Sequence, residues 1–545
     1  MMRRLFQLPQ MLSFLAAILF LCAALTPSLI PRTAVTQGLL GGVMAGLGYG
    51  IMSWILSFWR AFELPRLRGR ASQVAHTIIT APVIGILVWF LSQYLDWQNS
   101  VRARVGMETL SQTDMMETLL IAAATWLAIL LVGRIIQILF DHTRRRLRAY
   151  IAPAAANLIG LLIVVTVLFI LTDRGVVRTL FRAADDASAA AARFTDPDTP
   201  PPSQGWRAGG PGSLIDWAAM GERGRNFALS GPTAARITEV TGRPAIEPLR
   251  IYIGREQGET AAERAQIAVA ELRRTGAFDR AALVIAVPTG TGWMEPAAHD
   301  SLEYLLGGNV ATVGIQYSYL SSFLALIAET NTGLETAQAL FDAVYDEWRA
   351  RPAGARPRLY LFGISLGAWA SMNSLDPLQT ISDPIDGALW AGPPFTSNMW
   401  LQTTERRNPG SPFVLPQIGQ GDVVRFSNGR EPVSSEGWGR MRVVFIQYGS
   451  DPIVFYSPAS AWREPEWMSE PRAPDVSPQM RWYPMVTMLQ MALDMVVSLD
   501  PPPGYGHRYR AAHYLDAWAA VALPGGIDPA MLERIRAVCS DLCEN

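Results

Sequence analysis

Residues 358–372 read Arg358-Leu359-Tyr360-Leu361-Phe362-Gly363-Ile364-Ser365-Leu366-Gly367-Ala368-Trp369-Ala370-Ser371-Met372. A short apolar run, Arg358–Phe362, leads into a G-x-S-x-G pentapeptide, and a small-residue helical pattern leads out. Strand, tight turn and helix in that order form a nucleophile elbow, which presents a serine Oγ at the end of a strand. So tight a turn forces Ser365 into strained backbone space. Gly363 and Gly367 are required beside it because a Cβ would collide with neighbouring backbone. The bare pentapeptide also arises by chance in Gly- and Ser-rich chains, where it marks a plain βα turn. The strand before it and the helix after it favour the nucleophile.

A serine nucleophile needs a base, and composition shortens the search. All 46 basic residues are arginine. The absence of lysine removes Schiff-base chemistry, a Ser-Lys dyad and the phosphate-loop lysine together. There are five histidines: His76, His142, His299, His507 and His513. The net charge of −1 gives no electrostatic case for binding nucleic acid. Three cysteines, Cys22, Cys539 and Cys543, stand without clustered histidines, so no metal site and no cofactor are expected. Cys539 and Cys543, four apart, are poorly spaced for a disulfide within a regular helix.

From residue 249 onward apolar strands alternate with helical patterns. Strands are expected at Leu249–Ile253, Ala281–Val287, Val310–Tyr317, Arg358–Phe362, Gly387–Trp390 and Arg442–Tyr448. Helices are expected at Glu259–Arg274 and Leu334–Arg349. This pattern predicts a mostly parallel sheet covered on both faces, with its ligand at the carboxyl ends of the strands. Ser365 follows one strand and Asp451 another, in Gly449-Ser450-Asp451-Pro452. His507 stands beyond in a Gly-rich loop, Gly504-Tyr505-Gly506-His507-Arg508-Tyr509. The order Ser…Asp…His suits a triad. His507 would take the serine proton and Asp451 would orient the imidazole. His513 and His299 compete for the base, and Asp386 for the acid; Asp451 also reads as an ordinary turn aspartate before proline. Pro288-Thr289-Gly290-Thr291-Gly292-Trp293, after another strand, is placed to form half of an oxyanion hole through Thr289, Gly290, Thr291 and Gly292. The N–H of Leu366 would be the other donor.

The first third of the chain differs in character. Apolar runs lie at 9–30, 35–59, 75–95, 117–140 and 153–172, each near the ~20 residues that cross a hydrocarbon core. Five membrane spans are therefore expected. Arg3 and Arg4 precede the first. Arg60, Arg66, Arg68 and Arg70 lie between the second and third, and Arg144, Arg145, Arg146 and Arg148 between the fourth and fifth. Arg32 stands alone in the first of the alternate loops. Arg102 and Arg104 in the other are balanced by acidic residues. This asymmetry puts the N-terminus in the cytoplasm and everything after about residue 175 outside it. The expected organisation is a transmembrane helical domain over 1–175, a Pro/Gly-rich linker over 176–212 and a catalytic domain over 213–545.

Several stretches resemble the bacterial membrane-anchored α/β-hydrolases, which carry an N-terminal multi-span domain. They are Thr26-Pro27-Ser28-Leu29-Ile30-Pro31-Arg32, Pro288–Trp293, Gln316-Tyr317-Ser318-Tyr319-Leu320, Gly363–Gly367, Trp390-Ala391-Gly392-Pro393-Pro394, Ser450-Asp451-Pro452 and Gly506-His507-Arg508-Tyr509. The resemblance spans nearly the whole chain. It implies an all-α membrane bundle followed by an α/β-hydrolase domain, with the triad on Ser365, Asp451 and His507. Ile364 departs from the glutamate that often precedes the serine. Some members look like hydrolases of aminoacylated membrane lipids. The segment between Asp451 and His507 is rich in large amphipathic side chains, among them Trp462, Trp467, Trp482 and Tyr483. It is expected to cap the site and admit an ester, either borne on a lipid or soluble. The expected activity is a serine ester hydrolase at the plasma or inner membrane, its catalytic domain extracytoplasmic. The alternatives are an acyltransferase with the same triad, and a non-catalytic scaffold or transporter.

Overall fold

The computed structural model describes residues 8–65, 69–147, 162, 166, 199–319, 330–376, 380–469 and 471–542. Apart from residues 162 and 166, the fifth apolar run lies outside them, as do Cys543 and most of the expected linker. The chain divides into two compact units. One comprises Met1–Thr179 with Tyr456–Pro502, and the other Leu180–Phe455 with Pro503–Asn545. Residues 456–502, from the middle of the stretch expected to form the catalytic domain, therefore group with the N-terminal helices.

Among the described residues of the first unit, the N-terminal region forms the long helices α1 (Leu8–Ala24), α2 (Ala34–Ala61), α3 (Gly69–Arg104) and α4 (Met115–Leu147). Among the described residues three helices are long and apolar enough to cross a membrane: Ala34–Ala61, Thr77–Arg104 and Met115–Thr143. The run expected at 9–30 stays helical only to Ala24. Pro27 and Pro31 lack the N–H that a continuing helix needs, and the chain turns there instead. Glycines let α2 approach its neighbours closely. A Cβ on Gly38 would lie 2.7 Å from that of Ile121 on α4, and one on Gly42 would lie 2.6 Å from the Ala122 carbonyl oxygen. Small residues four apart on an apolar helix form this kind of seam.

The loop after α1 is buried and polar. Arg32 pairs with Asp494, which lies on the helix Val486–Val496. Its Nε donates to Asp494 Oδ1 at 2.9 Å. Asp494 Oδ2 accepts from Ser28 Oγ at 2.5 Å and from the Leu29 N–H at 3.1 Å. The Gln37 and Gln490 amides donate to the carbonyls of Ala24 and Thr26, at 2.8 and 3.0 Å. Side chains thus satisfy acceptors that the end of α1 leaves open. A cluster of Ala23, Ala24, Leu40, Met44 and Val486, joined by Phe20, Leu47, Leu489 and Leu493, packs around this network.

The second unit contains a sheet of seven strands: β1 (Leu249–Ile253), β2 (Ala282–Val287), β3 (Val310–Ile315), β4 (Arg358–Ile364), β5 (Gly387–Ala391), β6 (Val424–Ser427) and β7 (Arg442–Ile446). Their order across the sheet is β1-β3-β2-β4-β5-β7-β6. Every pairing is parallel. The central strands are buried along nearly their whole length, which is why they read as continuous apolar runs rather than alternating ones. The helix Ala261–Arg274 starts on a capping box between Thr260 and Glu263. The architecture is a parallel α/β sheet flanked by helices, together with an N-terminal helical region. β4 is central, flanked by β2 and β5, so residues leaving β2, β4, β5 and β7 emerge at one edge of the sheet.

Candidate active site

Ser365 leaves β4 with φ 55° and ψ −127° and precedes the helix Leu366–Asn373. Glu63 and Met485 are the other non-glycine residues with positive φ among those described. A conformation this sparsely populated costs about 1–3 kcal/mol and persists only where its surroundings enforce it. Here they do. A Cβ on Gly363 would lie 2.4 Å from the Gly367 carbonyl carbon, and one on Gly367 would lie 2.2 Å from the Val287 oxygen. The helix is therefore drawn tightly against the ends of β4 and β2. The Ser365 N–H donates to Ala391 O at 2.9 Å, tying the turn to the end of β5.

Asp451 follows β7 and is fully buried. Its Oδ1 accepts from the Ile453 N–H at 2.9 Å. Its Oδ2 lies 2.7 Å from His507 Nδ1 and accepts from the Tyr509 hydroxyl at 2.6 Å. With Nδ1–H donating to the carboxylate, the imidazole presents Nε2 as an acceptor. That atom is buried and without a hydrogen-bond partner among the described residues. His507 is held by a tight turn. The Gly504 N–H donates to Arg508 O at 2.7 Å, and the Gly506 N–H to Ser450 Oγ at 3.0 Å.

Serine and histidine meet the same strand end. Ser365 is bonded to Ala391. The next residue, Gly392, has φ +53°, and a Cβ there would lie 2.6 Å from His507 Cε1 and 2.8 Å from the Tyr509 hydroxyl oxygen. Only glycine leaves room for the two rings.

In the loop after β2, the Thr289 N–H donates to Trp293 O and the Gly292 N–H to Thr289 O, at 3.0 and 2.9 Å. The Tyr252 hydroxyl donates to Gly292 O at 2.6 Å. Thr289 and Gly292, both expected as oxyanion donors, thus use their amides to close the loop. Gly290 and Thr291 are the expected donors left there, with Leu366 at the first turn of the helix after Ser365.

The rival groups lie elsewhere. His513 Nδ1 is 2.5 Å from the Tyr448 hydroxyl, and burial lowers its pKa to about 4. His299 is buried between the rings of Phe227 and Phe362, and burial holds its pKa well below the usual range. Asp386 accepts from the Leu359 N–H at 2.8 Å, at the start of β4 and so at the opposite edge of the sheet from Ser365.

Tyr509 and Gly392 take part in the site although no motif in the sequence marks their roles. Burial and the adjacent carboxylate push the Tyr509 pKa well above the usual phenol range, so its hydroxyl stays a donor throughout the neutral range.

Such a site can deliver a serine oxygen to an electrophilic carbon, accept its proton on an imidazole and surround a developing oxyanion with backbone N–H groups. Profile comparison matches residues 249–535 to an alpha/beta-hydrolase family and residues 25–232 to an alpha/beta-hydrolase family N-terminus. No curated protein matches the chain. One solved structure similar to part of it is Trichoderma reesei cutinase in complex with a C11Y4 phosphonate inhibitor. Identity is 14%, coverage is 43% of this chain and 86% of that one, and the TM-score is 0.19.

Proposed function

Because the chain belongs to an alpha/beta-hydrolase family, we propose that it is a membrane-anchored serine ester hydrolase using Ser365, His507 and Asp451. The observation that carries this reading is the strained serine turn and the Asp451–His507 pair converging on Ala391 and Gly392. In the proposed reaction Ser365 Oγ attacks the ester carbonyl while His507 Nε2 takes its proton. Asp451 stabilises the resulting imidazolium. The N–H groups of Leu366, Gly290 and Thr291 receive the oxyanion. The imidazolium then returns its proton to the leaving alcohol. Water, deprotonated by the same nitrogen, releases the acid from the acyl-enzyme.

The membrane part of the proposal rests on three long apolar helices. With α1 and the run at 153–172 they would make five spans, placing the hydrolase outside the cytoplasm. The burial of Arg32 in an ion pair takes it out of the count of loop charges. That sharpens the arginine asymmetry behind this orientation. We propose a lipid-borne ester as the substrate, because the segment between Asp451 and His507 groups with the apolar helices.

The test is labelling of the full chain with a fluorophosphonate, read by intact mass. One adduct is expected on the wild type and none on Ser365→Ala, with labelling at least about 100-fold slower for His507→Ala. An unlabelled wild type, or an adduct on Ser365→Ala, would overturn the assignment. For the substrate, one acyl ester is compared in free and bilayer-borne form. Equal kcat/KM would remove the lipid.

A further inference from the structure

The helix Val486–Val496 is inside out. Of its eleven residues three are polar, Thr487, Gln490 and Asp494, and each is fully buried. At spacings of three and four they share one face. Thr487 Oγ1 accepts from the Tyr483 N–H. Gln490 donates to the Thr26 carbonyl, and Asp494 takes Ser28, Leu29 and Arg32. Leu489 and Leu493 flank this face against the Ala23–Met44 cluster, and the outer side is apolar, built from Met488, Ala492, Met495 and Val496, with Leu499 extending it past the helix end. Val496 is 61% and Leu499 60% exposed. A helix on the surface of a water-soluble protein shows the reverse arrangement. Polar groups turned inward onto protein partners, with apolar groups turned outward, are what hydrocarbon requires; of the three side chains, Gln490 leaves its buried Oε1 without a partner among the described residues.

The position of the helix agrees. It packs on Phe20, Ala23 and Ala24 at the end of α1 and on Leu40, Met44 and Leu47 of α2. These α2 residues lie about 9–20 Å along that helix from its start at Ala34, at 1.5 Å per residue. Val486–Val496 therefore runs beside the apolar helices and does not sit on their tips. Its own length is about 16 Å, roughly half of a ~30 Å hydrocarbon core, so it is too short to cross. The outward faces of other helices in the unit are equally apolar and open, with Val88 on α3 60% and Leu131 on α4 62% exposed.

We propose that Val486–Leu499 is a half-inserted membrane segment whose apolar face lies against lipid acyl chains. This rests on the membrane-anchored reading above and goes beyond it. The stretch between the acid and the base enters the bilayer and is pinned there by the Arg32–Asp494 pair.

The test uses the full chain in phosphatidylcholine/phosphatidylglycerol nanodiscs, with Cys22, Cys539 and Cys543 replaced by alanine. Single cysteines carrying a nitroxide are placed by Val496→Cys and Leu499→Cys. Leu131→Cys on α4 is the lipid reference, and Glu436→Cys, exposed in the other unit, the aqueous one. Power saturation then compares collision with oxygen and with a water-soluble nickel chelate. The expected result is that labels at 496 and 499 match the one at 131, with an oxygen-to-nickel ratio several-fold above that at 436. Labels at 496 and 499 that match 436 while 131 reports lipid would overturn the half-inserted segment alone. A nickel-accessible label at 131 would overturn the membrane reading and the segment with it.

Discussion

Asp451 Oδ2 receives two donors, the imidazole of His507 and the hydroxyl of Tyr509. The phenol draws electron density from the carboxylate and so limits how strongly Asp451 favours the imidazolium. Removing it by Tyr509→Phe leaves the buried Asp451 carboxylate one donor short, a loss of about 1.5–3 kcal/mol for a hydrogen bond to a charged group. Thermal unfolding of the full chain should show that loss, and the maximum of kcat/KM should fall by less than about tenfold. A Tyr509→Phe variant as stable as the wild type would show that Tyr509 only fills space. That Ser365 and Asp451 follow β4 and β7 was legible in the pattern of apolar runs. Tyr509 was not, because nothing in the sequence separates a tyrosine that holds a carboxylate from one that fills a core.

The strand–turn–helix at Ser365 depends on distances no side chain can share. Gly367→Ala would set a methyl 2.2 Å from the Val287 carbonyl oxygen. That atom is backbone in a central strand and cannot swing aside. The helix must retreat, at a cost of about 1–3 kcal/mol for overpacking. The expected outcome is a lower melting temperature in the full chain and a larger loss of fluorophosphonate labelling, since the retreat carries Ser365 with it. Labelling at the wild-type rate would mean that the turn tolerates the methyl. Six of the seven strands were legible as apolar runs, with ends shifted by at most two residues. β6 was missed. It has four residues, pairs among the described residues only with β7 and carries the half-buried Arg425 at its second position. A short edge strand leaves a weak trace because half of its surface is not required to be apolar. The first apolar run was expected to stay helical through Pro27, where the chain instead turns.

Over the whole molecule, the division at Phe455/Tyr456 and Pro502/Pro503 was not visible in composition, because the excursion between them is as apolar as a lid would be. What fixes it is a contact between residues 462 positions apart, the Arg32–Asp494 pair. Arg32→Met or Asp494→Leu alone leaves a buried charge uncompensated and should cost about 3–5 kcal/mol. The two together should cost less than their sum, as read by thermal unfolding of the full chain in detergent. Strict additivity would mean that the two charges do not act as a pair. The same separation bears on biosynthesis. At about 5–20 residues per second, Asp494 emerges from the ribosome some 20–90 s after Arg32. Through that interval the nascent helices hold an arginine whose carboxylate has not yet been made. His507 is translated only thirteen residues after Asp494. A nascent chain that stops short of these residues therefore lacks both the lock on its first unit and the base of its proposed triad, and a hydrolase put together in this sequence stays inert until both have been made.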